Sequence, residues 1–236
     1  FINKKEIVHN NVISLLEQDE FDPKIAKIDI LQELKFKISN EISSNSYNDL
    51  QKTIIIDKYM RKNFVHGRGE LKPCENWFVY LSSILFFDHL NDSLDPKDII
   101  KSNKALCSQV SIVFQDILKD YGIKYGSVRF YTPNDGHFAV AAYYEDDWYY
   151  FDANIEYKYD YVSPPKLDDI VNGNQEVLKK LYPDYTDLVK LWVRDSENNR
   201  IKLTDINNYP AKKGLIFQRI SKFISYWGWF FNLLLA

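Results

Sequence analysis

Three residues near the middle of the chain have the types and the order that acyl transfer uses: Cys107, His137 thirty residues on, and Asp152 fifteen residues further. A thiolate attacks a carbonyl carbon, an imidazole takes up and returns the proton, and a carboxylate holds the imidazole in one tautomer and supports its charged form. Singly, each residue has a bland reading. A lone cysteine at a helix start is usually a small buried hydrophobe, a histidine at a strand start a rim residue, and an aspartate at a strand end a turn former. Their order, and the elements that carry them, make the joint reading the stronger one.

Those elements follow from periodicity. Val110, Val113, Phe114, Ile117, Leu118 and Tyr121 recur at i, i+3, i+4, i+7, i+8 and i+11, which predicts an amphipathic helix with one buried stripe, opening at Cys107. Gly122 follows where a left-handed residue is wanted, with Lys119 in the last turn. Cys107 therefore sits at the positive end of the helix dipole, beside N–H groups with no intrahelical partner, a setting that favours thiolate over thiol. Beyond Gly122 the period shortens to two. Strands are predicted over 125–131, 137–144 and 148–152, with turn residues between them. A two-residue turn at Glu145 and Asp146 pairs Tyr144 with Asp147, which sets Ala139 opposite Asp152 and leaves His137 as its diagonal neighbour on the same face. A turn at Asp146 and Asp147 keeps that facing, whereas an odd-length loop would separate the two side chains.

Around this core, residues 1–65 read as two or three helices, with helical spacing over 25–38 and 50–59 and a start signal at Asp22-Pro23. Two glycines and a proline in 66–73 mark a loop. A strongly apolar helix is expected over 77–89, a short one after Asp95-Pro96, another over 167–181, and a last hairpin from 188–193 and 200–203. The expected organisation is a helical segment 1–68, a catalytic core 69–165 and a C-terminal part 166–236, packed as one unit. The run 223–236 is apolar except for Ser225 and Asn232, and its fourteen residues fall short of the ~20 that a bilayer span needs. A packed helix, a cut transmembrane helix and an interfacial anchor giving membrane contact are all open for it.

With 30 basic and 33 acidic residues the net charge is −3, so no basic field argues for nucleic acid as a partner. A 45% hydrophobic and 27% charged composition excludes disorder as the main state. Two cysteines, Cys74 and Cys107, cannot frame a disulfide scaffold, and neither a Cys/His ladder nor a calcium-loop pattern occurs, so no metal and no cofactor are expected. Cys74 reads by default as a packing residue beside Pro73, with a second thiol near the cleft or a redox partner of Cys107 as the alternatives. His9, His66 and His89 have no partners at ligand spacing and receive no chemistry. The chain opens on Phe1 without a charged and then apolar leader, and so reads as a processed or truncated piece. Few cysteines and a reactive thiol fit a reducing cytoplasm. A membrane-attached form would keep the domain on the cytoplasmic side, because Lys212, Lys213, Arg219 and Lys222 precede the apolar run.

The stretches Ala105-Leu106-Cys107-Ser108-Gln109, Tyr121-Gly122-Ile123, Val128-Arg129, Gly136-His137 with Val140, and Asp147-Trp148 with Phe151-Asp152 resemble the core of the transglutaminase-like superfamily, over residues 77–154. The resemblance implies an α+β fold with a papain-like core, its nucleophile-bearing helix packed on an antiparallel β-meander, plus N-terminal helices. It implies Cys107 as nucleophile, His137 as base and Asp152 as orienter. The Cys107 backbone N–H is the natural first oxyanion donor, and the family's use of an upstream helix points to Asn76 or Trp77 for the second. Ala141 or Ala142 replaces the acidic residue common in the family's strand, so no substrate grip is implied there. The activity implied is cysteine-dependent acyl transfer on an amide or peptide-like bond through a thioester, with a peptide, protein or amide as substrate. Water as acceptor makes a protease or amidase, and an amine makes a transglutaminase-type transferase. The alternative from another class is a non-catalytic binding or scaffolding module beside a membrane, for which the apolar C-terminus speaks.

Overall fold

A computed structural model describes residues 21–131, 136–154, 164–183, 189 and 201–235, the last seven as backbone. Helices α1 (Leu31–Ser43) and α2 (Asp49–Asn63) come first. α2 starts at a capping box, in which Asn48 Oδ1 accepts from the Gln51 N–H at 2.9 Å and Gln51 Oε1 from the Asn48 N–H at 3.1 Å. The start signal at Asp22-Pro23 produces one turn, with the Lys24 N–H on Asp22 Oδ1 at 2.8 Å, and α1 begins later than its periodicity predicts. Ile25 and Ile28 are buried in the same core as α1, so tertiary contact outranks local propensity there.

Strand β1 (Val65–His66) pairs in parallel with β2 (Lys104–Ala105), which sets His66 opposite Ala105. Between them lie α3 (Trp77–Leu85), a 3₁₀ turn (Asp88–Asn91) and α4 (Pro96–Ile99), the last capped by Asp95. The apolar helix expected over 77–89 thus stops at Leu85. Arg68, which bonds Asp88, Asn91 and Asp92, holds the next residues as a tighter turn.

Helix α5 (Cys107–Asp120) leads into β3 (Lys124–Tyr131), β4 (Gly136–Tyr144) and β5 (Asp147–Phe151). It ends as its sequence predicts. Gly122 takes φ +69°, and the N–H groups of Gly122 and Ile123 return to the carbonyls of Lys119 and Leu118. Two short helices follow, α6 (Leu167–Val171) and α7 (Gln175–Leu181), in place of the single helix expected over 167–181. Gly173 at φ +65° breaks the run, and the Asn174 side chain caps the second piece. Of the last expected hairpin, the arm 188–193 lies outside the described residues apart from Val189. The other arm forms β6 (Ile201–Thr204), and α8 (Lys212–Leu235) closes the chain.

The sheet is antiparallel in the order β5-β4-β3-β6. Val140, Ala142, Tyr144 and Phe151 on one face share a core with α1, α2 and α5. Val128, Phe130, Ala139, Ala141 and Tyr150 on the other pack with residues of α6 and α7. Coverage on both faces explains the nearly continuous apolar strands. The single stripe expected on α5 is also corrected, because Gln109, Ser111, Ile112 and Gln115 are buried too, Gln109 against Gly69 and Ser93 and Gln115 against Gly126 and Ser127 of β3. Helices on both sides of an antiparallel sheet make the class α+β.

Candidate active site

The β4–β5 hairpin decides which side chains meet. Glu145 and Asp146 both take positive φ, +50° and +61°, the two-residue turn whose twist matches that of its flanking strands. Tyr144 then pairs with Asp147 and Val140 with Phe151. That register puts His137, Ala139, Ala141, Tyr150 and Asp152 on one face, and both His137 and Asp152 at the sheet end remote from the turn. The His137 Nε2–H donates to Asp152 Oδ2 at 2.7 Å, with both residues buried. Cys107, partly exposed at the first residue of α5, comes from the opposite layer and hydrogen-bonds the same imidazole. The two layers can meet there because the sheet, the barrier between them, ends there. Since Nε2 is taken by Asp152, Nδ1 is the nitrogen left for the sulfur.

The electrostatics follow from this geometry. Burial alone would push the His137 ring toward its neutral form, but the Asp152 charge and hydrogen bond, helped by Cys107, overcome it and raise the ring from 6.5 to about 10. At neutral pH the ring is therefore an imidazolium wedged between a carboxylate and a sulfur.

Asp152 itself is held on all sides. Its Oδ2 also accepts from the Tyr182 hydroxyl at 2.8 Å, and its Oδ1 accepts from the Asn154 N–H at 3.1 Å. Its backbone carbonyl accepts from Arg61 of α2, a guanidinium paired at 2.8 Å with the buried Asp57. The Tyr150 hydroxyl lies 2.5 Å from that of Tyr182 and 3.5 Å from the carboxylate. One proton per hydroxyl is best used if Tyr150 donates to Tyr182 and Tyr182 to Asp152. Burial, then the Asp152 charge, pushes both phenols far above their usual range, so they remain donors. Tyr150, two residues before Asp152 on β5, shares its face by strand alternation alone. Tyr182 and Arg61 carry no such signal, because each comes from an element whose approach only the fold decides.

Cys107 is positioned by the segment before it. Gln109, two residues into α5, turns away from the thiol as helical geometry requires. Its Oε1 accepts from the N–H groups of Leu106 (2.9 Å) and Gly69 (3.0 Å), while its Nε2 donates to the carbonyls of Gly69 (2.6 Å) and Ser93 (2.9 Å). This buried amide clamps the loop after β1 to the start of α5. A Cβ on Gly69 would stand 2.8 Å from the Lys104 carbonyl, so only glycine admits the approach. Asn154 adds a second tie: its Nδ2 donates to the Ala105 carbonyl at 3.1 Å, and its Oδ1 accepts from His66 Nδ1–H at 2.8 Å. His66, given no chemistry on spacing alone, thus belongs to the scaffold of the site.

Asn76 and Trp77 are placed differently from the oxyanion role expected of them. The Asn76 Nδ2 donates to Ser221 Oγ (2.9 Å) and the Gln218 carbonyl (3.2 Å), and the Trp77 Nε1 to the Ser225 carbonyl (3.1 Å). Their N–H groups join α3 to α8. The signal that suggested Asn76, its place at a helix start, reflects N-capping of α3 through the Val79 N–H. Cys74 is exposed just before α3 and free, so it is not the packing residue expected. A cavity of about 510 Å³ opens between α1, the C-terminal half of α5 and α8, about two turns of α5 from Cys107, and the three site residues do not line it. Among the described residues no group of three or more His, Cys, Asp or Glu side chains is placed to hold a metal ion.

A family model described as a transglutaminase-like domain matches residues 34–176, more than half of the chain and all of the Cys107, His137 and Asp152 constellation. Tyr182 and α8 fall outside the matched stretch. A search of curated proteins returns no match to this chain.

Proposed function

The chain belongs to the transglutaminase-like domain family, and from that premise we propose that it is a cysteine enzyme with a papain-like core, transferring the acyl group of an amide or peptide-like bond through a thioester on Cys107. The observation that carries this reading is the buried imidazole that shares its two nitrogens between Asp152, at 2.7 Å, and the Cys107 sulfur. The sulfur attacks the carbonyl carbon as a thiolate beside the His137 imidazolium, an S–C bond forms, and the negative charge passes from sulfur to oxygen. The Cys107 N–H, in the first helical turn, serves as oxyanion donor. His137, protonated up to this point, delivers its proton to the leaving nitrogen as the C–N bond breaks and is left neutral. Water or an amine then gives its proton to the ring, adds to the thioester and releases the product and the thiolate.

A test is acylation by a p-nitrophenyl acyl ester at neutral pH, followed by mass spectrometry of the intact protein and its peptides. The wild type should carry one acyl group on Cys107, and Cys107→Ala none. His137→Ala should acylate at least tenfold more slowly. An unmodified Cys107 in a folded wild type would refute the reading and leave a binding module. If the adduct forms, adding a primary amine and comparing amide product with free acid separates transferase from hydrolase.

A further inference from the structure

α8 is built inside out. At about 100° per residue, Ala211, Gly214, Leu215, Gln218, Ser221, Lys222 and Ser225 fall within one arc of about 120°, and these are the positions turned to the protein. Except for Leu215 they are small or polar. The opposite arc, about 180° wide, contains Ile216, Phe217, Ile220, Phe223, Ile224, Tyr226 and Trp227, each at least 40% exposed, together with the exposed Lys212, Lys213 and Arg219 toward the helix start. A helix on a water-soluble body shows the reverse pattern. α3 repeats the inversion, since it buries Val79 and Ser83 while Trp77, Leu81, Ile84, Leu85 and the following Phe86 stay exposed. The two helices are joined by polar groups: Asn76 to Ser221 and the Gln218 carbonyl, Trp77 to the Ser225 carbonyl, and Ser225 Oγ to Asn76 Oδ1. Polar residues between helices and apolar residues outward is the arrangement adopted against hydrocarbon.

We infer that the α3–α8 face docks on the surface of an anionic phospholipid bilayer, with both helices lying in the interface. Three observations favour lipid over a protein partner. A half-cylinder that is apolar but for cations toward its N-terminal end suits a helix half sunk in a plane, whereas a partner helix covers a stripe nearer 100°. Exposed Tyr and Trp side chains, at 77, 226 and 227, belong to the patch, and such amphipathic rings favour the headgroup level. α8 contains four cations, Lys212, Lys213, Arg219 and Lys222, and no acidic residue. Arg219 and Lys222 pair with Asp95 and Asp98, and Lys212 and Lys213 stand exposed at the helix start to meet anionic headgroups. No described helix is long and apolar enough to cross a membrane, so the contact is with one leaflet.

The experiment is flotation of the full chain with vesicles of phosphatidylcholine containing phosphatidylglycerol, or of phosphatidylcholine alone, at low and high salt, alongside sedimentation velocity without lipid. The wild type should float with anionic vesicles, several-fold less with neutral ones or at high salt, and should show Trp quenching by brominated lipid. Ile220→Glu and Phe223→Glu, both at outward positions, should bind at least tenfold less and keep the wild-type circular dichroism and melting temperature. Wild-type and Glu variants floating equally, or a wild type that ignores vesicles, would overturn the inference. So would a dimer that the Glu variants break while vesicle binding stays absent, since a second copy would then cover the face. Acylation of Cys107 tests the enzyme reading independently.

Discussion

Replacing Asp152 by asparagine tests the central electrostatic claim, because it removes the charge and leaves a side chain of the same shape. In the wild type the His137 ring is raised from 6.5 to about 10, a preference for the protonated form of about 5 kcal/mol at 1.36 kcal/mol per pH unit. That preference is what remains after burial has acted in the other direction. In Asp152→Asn the main opposing cause is gone, burial dominates, and the ring should titrate below 6.5. At pH 7.5 the wild-type ring is essentially all imidazolium, whereas a ring titrating at or below 6.5 is at most about 10% protonated. The sulfur loses its cationic partner to the same extent. The assay has two parts: imidazole titration by ¹H–¹⁵N NMR, and the second-order rate of iodoacetamide alkylation of Cys107 at pH 7.5, read by peptide mass spectrometry. The expected result is a titration moved below 6.5 and alkylation at least about tenfold slower. A wild-type ring that titrates near 6.5, or an Asp152→Asn ring still near 10, would refute the reasoning.

Other outcomes follow from the same contacts. Tyr182→Phe removes a hydroxyl 2.8 Å from Asp152 Oδ2 and should cost about 1.5–3 kcal/mol in urea unfolding, more than Tyr150→Phe, whose hydroxyl stands 3.5 Å from the carboxylate. Gln109→Ala leaves four buried backbone groups of Gly69, Ser93 and Leu106 without their amide and should lower stability by about 3 kcal/mol or more, with faster hydrogen exchange in the loop around Gly69. Arg61→Met breaks the buried pair with Asp57 and should cost about 3–5 kcal/mol, most of it recovered in Asp57→Leu/Arg61→Met if the penalty is the stranded charge. Because His137 has a higher pKa folded than unfolded, its contribution to stability is complete below pH 6.5 and is lost as pH rises toward 10. The stability difference between wild type and His137→Gln should shrink across that window in urea titrations.

Local physics made much of this protein legible. The α5 periodicity, the Gly122 terminus and the β4–β5 turn are short-range features, and each is written in a few adjacent residues. Strand parity extends that reach, since a two-residue turn determines by itself that His137 and Asp152 face the same way. Where a local signal competed with packing, reading the sequence fell short. A start signal at Asp22 made one turn, a continuous apolar run ended at Leu85, and Gly173 cut one expected helix into two.

The tertiary structure alone decided what surrounds those residues. Tyr182 reaches Asp152 across 30 residues of chain, Arg61 across 91, and Gln109 reaches Gly69 across 40, and no period or spacing encodes such contacts. Asn76 shows the converse. Its place at a helix start pointed to the active site, but the nearest acceptors for its amide are on α8, about 145 residues away, so it joins two helices instead. The apolar run at the C-terminus admitted three readings because hydropathy along a chain does not say which side of a helix faces the protein. Over Lys212–Gly228, packing of the small and polar side of α8 against α3 shows which side faces the protein and leaves the apolar side outward.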